Sequence, residues 1–224
     1  MKLSVIVPSL TGEVPKSLKA DPRAELVVVK GVRPVAAARN EGLRRATGLF
    51  VAWVDADDEV ADAWLDEIAH ALEAHPDADV IAFDGQAEWC DGSGRAPYRL
   101  KTGEDLVRGV LRDDMPGQLW CKVWRRALFE GRSFVGAVHE DYRMECEIFR
   151  DAARAGRAVK VHYIPKVLYR YRRRSTGLSQ GRDAAAVCRA LLALARICWC
   201  RDMALGVWRR CWDFAKTPLR RLVR

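Results

Sequence analysis

Three carboxylates fall within four positions, at Asp55, Asp57 and Asp58, directly after the apolar run Leu49–Val54. Acids this close repel one another strongly at a strand end unless a cation sits among them. Hard oxygen donors suit Mg²⁺ or Mn²⁺, and Mg²⁺ typically takes one or two protein carboxylates and fills its shell with phosphate oxygens and water. The pattern points to a divalent ion gripping a diphosphate. The plain alternative is a solvated strand-to-helix turn, with Asp58 or Glu59 capping a helix that begins near Val60. Two further places bear on the chemistry. Asp141, after His139 and Glu140, opens a helical pattern and by itself reads as an N-cap. The run Arg172–Arg174 offers guanidinium forks that read phosphate bidentately, or a solvated basic turn.

The elements that must position these groups alternate. Leu3–Pro8, Glu25–Val29, Leu49–Val54 and Asp79–Phe83 read as strands. A helix is expected over Val35–Ala46, closed by Gly48, and another over Ala61–Ala74, with Trp64, Leu65, Ile68 and Leu72 at helical spacing. This alternation predicts an α/β fold with a mostly parallel sheet covered on both faces. Ligands of such sheets sit beyond the carboxyl ends of the strands, which is where the three acids fall. Further on, Asp91–Gly94 reads as a turn at a hairpin tip. Gly103–Arg112, Trp124–Phe129 and Asp141–Ala155 read as helices, and Val159–Tyr163 as a last strand.

The chain has 224 residues, 50% of them hydrophobic, enough for one sizeable domain with an appendage. Its start does not read as a signal peptide, and no apolar run approaches the roughly eighteen residues of a spanning helix. Seven cysteines without a CxxC pair read as reduced thiols, which points to the cytoplasm. The net charge of +8 is uneven: residues 166–224 hold 15 Lys/Arg against 3 Asp/Glu, while residues 1–165 hold 23 against 27. The division expected is a domain over 1–182 and a basic helical tail over 183–224. In the tail Arg182, Arg189 and Arg196 recur on one face among tryptophans and leucines, as in a helix lying on an anionic membrane surface. The alternative is a helix packed on the domain or on a second subunit. No nucleic-acid-binding motif accompanies the charge, so nucleic acid is not an expected partner.

Several segments, in order, resemble the family 2 glycosyltransferases of GT-A fold. They are Leu3–Pro8, the helix Ala38-Arg39-Asn40-Glu41-Gly42 followed by Ala46 and Gly48, and Asp55-Ala56-Asp57-Asp58 as a DxDD form of the DxD motif. Trp120–Trp124 with Leu128, Phe129 and Phe134, His139-Glu140-Asp141 as the ED motif, and Tyr169–Arg172 with Ser175 and Ser179 complete the set. The resemblance implies an inverting transferase that moves a sugar from a nucleotide-sugar donor to a glycan or lipid-linked acceptor, and the basic tail adds the expectation that it works at the inner face of the cell membrane. It implies Mg²⁺ or Mn²⁺ on Asp57, with Asp55 and Asp58 in support. It also implies donor contacts from Pro8, Ser9, Arg39, Asn40, Asp55 and Arg172, and Asp141 as the base. Arg39 and Asn40 read equally well as a helix-face arginine and a buried anchor for loops. Trp120 reads as a core residue or a sugar platform. One departure stands out: the second strand ends Val28-Val29-Lys30-Gly31, without the acidic pair that holds the nucleoside in most relatives. A non-catalytic scaffold of the same fold therefore remains an alternative, as does a phosphatase with Asp55 as nucleophile.

Overall fold

The computed structural model describes residues 3–99, 104–112, 118–136 and 138–173, together with 192, 195, 200, 203–205 and 207–210. Leu3–Ser9 (β1) is buried along its length except at Pro8. It lies between Ala24–Lys30 (β2) and Phe50–Trp53 (β3) and is parallel to both. β-branched residues suit a strand covered on both faces. Parallel neighbours need a long return, usually a helix. From β1 to β2 a loop serves instead, tied down where Ser17 Oγ accepts from the Val60 N–H at 3.0 Å and Leu18 meets the core. From β2 to β3 the return is the helix Val35–Arg45 (α1). A Cβ on Gly42 would come within 2.3 Å of Ile6 Cγ2, so the bare glycine lets α1 lie directly on β1.

Beyond the acidic turn, Glu59–Val60 (β4) is a short strand and the helix Trp64–Ala74 (α2) follows it. A cap at Asp58 or Glu59 is thus overturned: sheet pairing from a distant segment claims residues that local sequence assigns to a helix start. Val80–Trp89 (β5) runs well past Phe83 and turns back as Arg95–Tyr98 (β6), with Asp91–Gly94 at the tip. Glu104–Leu111 (α3) is helical as expected. The helix expected over Trp124–Phe129 is instead the strand Lys122–Arg125 (β7) and a 3₁₀ turn, Arg126–Phe129. Its short apolar run fits helix or strand equally, and a slot between β3 and β5 decides for strand. Glu140–Arg154 (α4) precedes the long Val161–Arg173 (β8).

The strands form one sheet in the order β2-β1-β3-β7-β5-β8-β4, with β6 paired to β5. It is parallel within β2-β1-β3 and between β5 and β8; β7 joins these two halves antiparallel to both. The parallel expectation thus holds within β2-β1-β3 and between β5 and β8, and gives way at β7, β6 and β4. Under the acidic turn Trp53 meets Phe129 and Phe134 edge-on, at centroid distances of 5.1 and 5.7 Å. Trp120 stacks on Tyr169 at 4.7 Å and crowds Gly85, where a Cβ would lie 2.4 Å from the indole. From the tail, Met203 and Val207 join the core, whereas Leu192 and Trp208 are exposed. Arg174, Ser175, Ser179, Arg182, Arg189 and Arg196 lie outside the described residues.

Candidate active site

The sheet brings the acidic turn to the carboxyl ends of β1 and β3, the place where α/β folds bind ligands. Val54 continues the β1 pairing by donating to the Ile6 carbonyl at 3.0 Å, and the Asp58 N–H closes the turn on the Asp55 carbonyl at 3.1 Å. The turn then sends its three acids to different surroundings. Asp57 is exposed, Asp55 is half-buried and Asp58 is buried. Asp58 is fully engaged, accepting from Tyr169 Oη at 2.7 Å and from the Arg172 N–H at 2.7 Å. Tyr169 Oη in turn accepts from the Asp55 N–H at 3.0 Å, so one phenol ties β8 to both ends of the motif.

The other wall is the first turn of α4. Glu140 points inward and binds Arg39, a buried residue of α1 that reaches Asp55 Oδ1 at 3.9 Å. Asp141, the next residue, stays half-exposed and accepts the N–H of Tyr142 at 2.8 Å. Its charge acts on Asp55, Glu140 and Arg39 alike, from its place beside the Arg39–Glu140 pair. Burial, with the neighbouring acids Asp57 and Asp141, holds Asp55 above the usual carboxylate range despite Arg39. Burial likewise pushes Glu140 up to about 7 and Asp58 up to about 8. Such upward shifts mark a site crowded with negative charge.

The remaining candidates divide. Asn40 is spent on structure, its amide exchanging bonds of 2.9 and 2.8 Å with the Phe134 carbonyl and N–H. Ser9 Oγ accepts from the Gly12 N–H at 3.0 Å and shapes the turn after β1, beside Pro8. Arg172 pairs with Glu59 at 3.1 Å next to the acidic turn. Residue-type reasoning missed three contributors. Tyr169 entered as one letter of a motif, and Glu140 as a neighbour of Asp141. The Lys122–Glu145 pair, with bonds of 2.9 and 3.1 Å, is wholly buried beneath α4. A polar residue at an inward position of an amphipathic helix was the one available signal for Glu145.

Among the described residues no group of three or more His, Cys, Asp or Glu side chains converges to hold a metal by itself. The donor set fits an ion of another kind. Asp55 and Asp57 would supply the one or two hard carboxylates that Mg²⁺ or Mn²⁺ takes when phosphate and water complete the shell.

The family model described as Glycosyl transferase family 2 matches residues 10–130. The chain belongs to glycosyl transferase family 2. The uncharacterized glycosyltransferase YibD of Escherichia coli is 29% identical over 158 residues, covering 64% of this chain and 43% of that protein. The putative glycosyltransferase EpsH of Bacillus subtilis is 24% identical over 143 residues, covering 61% of this chain and 41% of that protein. The family 2 chain therefore spans less than half the length of these two relatives. Among solved structures, Staphylococcus aureus TarS 1-349 in complex with UDP-GlcNAc superposes with a TM-score of 0.69 at 18% identity, covering 97% of this chain and 74% of TarS. Glucosyl-3-phosphoglycerate synthase of Mycobacterium tuberculosis with Mn²⁺, UDP-glucose and phosphoglyceric acid gives 0.52 at 13% identity, covering 88% of this chain and 79% of that one. The fold is GT-A.

Proposed function

We propose that this chain transfers a sugar from a nucleoside-diphosphate sugar to an acceptor hydroxyl, with Mg²⁺ or Mn²⁺ and with inversion at the anomeric carbon. The observation that carries this reading is the bridge from Asp55 through Arg39 to Glu140, which ties the acidic turn to the first turn of α4, where Asp141 stands. The donors held by TarS and by the mycobacterial synthase support the substrate class. Asp55 and Asp57 would hold the ion, which when bound supplies charge neutralisation for the departing diphosphate. Arg39 keeps Asp55 in place and withdraws Glu140 from the reaction. Asp141, left open beside it, takes the acceptor proton at its carboxylate, a role worth roughly 10²–10⁴-fold in rate. Tyr169 fixes the turn through Asp58 and the Asp55 N–H.

The acceptor we infer is a cell-envelope or lipid-linked glycan met at an anionic membrane surface. The positive last quarter of the chain and the exposure of Trp208 support this. No helix among the described residues is long and apolar enough to cross a membrane. A second reading, a binding protein of the same fold without turnover, is favoured by the end of β2 at Lys30 without a carboxylate.

A panel of nucleoside-diphosphate sugars assayed for Mn²⁺-dependent binding and turnover decides between them. Binding lost in Asp57→Ala, with turnover but not binding lost in Asp141→Asn, is the expected result. If no donor binds with any metal, the scaffold reading stands. Co-sedimentation with vesicles of phosphatidylglycerol, compared with neutral vesicles, tests the membrane surface.

A further inference from the structure

Arg210 lies far along the chain from the acidic motifs, yet its side chain ends among them. It belongs to the helical residues 207–210, whose Val207 is buried in the core and whose Arg209 donates to the Arg112 carbonyl at 3.3 Å. The Arg210 guanidinium carbon sits 3.8 Å from the centroid of the Tyr142 ring. Its Nη1 lies 2.9 Å from His139 Nδ1. Arginine only donates, so Nδ1 accepts and a neutral ring carries its proton on Nε2. The charge of Arg210 also reaches Glu145, one turn further along α4.

One arginine thus grips the residue before and the residue after Glu140-Asp141. His139 needs such a grip. With φ at 56° it is the one non-glycine residue of positive φ among those described, and L side chains seldom adopt that backbone. Such conformations persist where surrounding contacts over-determine them, and they cluster at functional sites. On the other side, Tyr142 is held between the guanidinium face and the Leu111 carbonyl, to which its hydroxyl donates at 2.9 Å. Among the described residues of the segment Met203 and Val207 pack into the core, whereas Arg210 addresses the turn that bears Asp141.

We propose that Arg210 is a positioning residue, by which the C-terminal segment clamps His139 and Tyr142 and so fixes the direction of the Asp141 carboxylate. The proposal rests on Asp141 being the base. It assigns the segment a part in turnover, where the basic composition alone suggests only a surface.

The test compares full-length wild type with Arg210→Met and with Val207→Ala, which loosens the same helix without touching His139. Hydrogen exchange of peptides spanning 138–145 is measured together with transfer from UDP-N-acetylglucosamine and UDP-glucose in Mn²⁺. In Arg210→Met, exchange at 139–143 is expected to rise at least tenfold, and kcat to fall at least tenfold, with donor KM changed less than twofold. In Val207→Ala, Tm falls while kcat and exchange at 139–143 stay near wild type. Unchanged exchange in Arg210→Met overturns the proposal, as does raised exchange with unchanged kcat, or an equal fall of kcat in Val207→Ala. If the wild type turns over neither donor, the donor panel decides the transferase reading separately, and exchange at 139–143 alone decides whether Arg210 holds this turn.

Discussion

The two halves of the site are built on opposite principles. On the β1–β3 side the acids stand at a strand end, with Asp57 exposed and Asp55 half-exposed, and Tyr169 and Arg39 hold their turn from behind. On the α4 side the groups are sunk in the core: Lys122 with Glu145 and Arg39 with Glu140 are buried pairs from segments far apart in the chain. In the transfer reaction proposed above, the difference would fit two tasks. An ion and a diphosphate bring their own charge, so their ligands can wait in solvent. A base must be aimed before the acceptor arrives, and aiming takes rigid support from beneath.

The sharpest break in this comparison removes one group from each half. Asp57→Ala is expected to abolish metal-dependent donor binding, whereas Asp141→Asn is expected to lower kcat by roughly 10²–10⁴-fold with donor affinity kept; calorimetry and initial rates separate the two. Next in size is the buried pair. Lys122→Ala leaves the Glu145 carboxyl without its partner in the core and is expected to cost about 3–5 kcal/mol in urea unfolding. Replacing both, as Lys122→Met with Glu145→Leu, should recover most of that. A single-mutant loss below about 1 kcal/mol would mean the pair does not anchor α4.

Tyr169→Phe loses the hydroxyl that serves Asp58 and the Asp55 N–H, with an expected stability loss of about 1–3 kcal/mol for the buried polar groups left unpaired. A fall in donor affinity larger than the fall in stability would show that the phenol shapes the ion site directly. pH sharpens the contrast further. Burial pushes Glu145 up to about 7, although Lys122 pulls the other way. The folded state therefore keeps a proton that the unfolded state, near the ordinary glutamate value of about 4.3, releases. Stability from this group is present at low pH and declines as pH rises from about 4 to about 7. Urea midpoints across that range should slope downward in wild type and flatten in Glu145→Gln. The smallest effect belongs to the surface: the exposed Lys19–Asp62 pair at 3.1 Å is expected to contribute below about 1 kcal/mol when Lys19 is replaced by alanine.

Much of the frame was legible because it is local. The β1, β3 and α1 segments, the hairpin at Asp91–Gly94 and the helices α3 and α4 carry periodicity, glycine punctuation and β-branched runs that suffice within a few residues. The misreadings share one cause. Residues 59–60 and 122–125 became strands because β8 on one side, and β3 and β5 on the other, offered open edges, and a short apolar run goes where it can be paired. Asn40 shows the same limit at a single side chain: its bonds go to Phe134, 94 positions away, a partner no local pattern names.

The sequence by itself determined where carboxylates meet a strand end, which segments are helical, and the ordered motifs that mark family 2. It did so because hydrophobic spacing and turn chemistry act over a few residues. Only the tertiary structure decided which acid each environment leaves open. Asp58 goes to Tyr169 and Arg172 and Glu140 to Arg39, while Asp55 and Asp141 stay half-exposed and Asp57 exposed. Burial and long-range pairing make that choice, and both exist only once strands distant in sequence lie side by side.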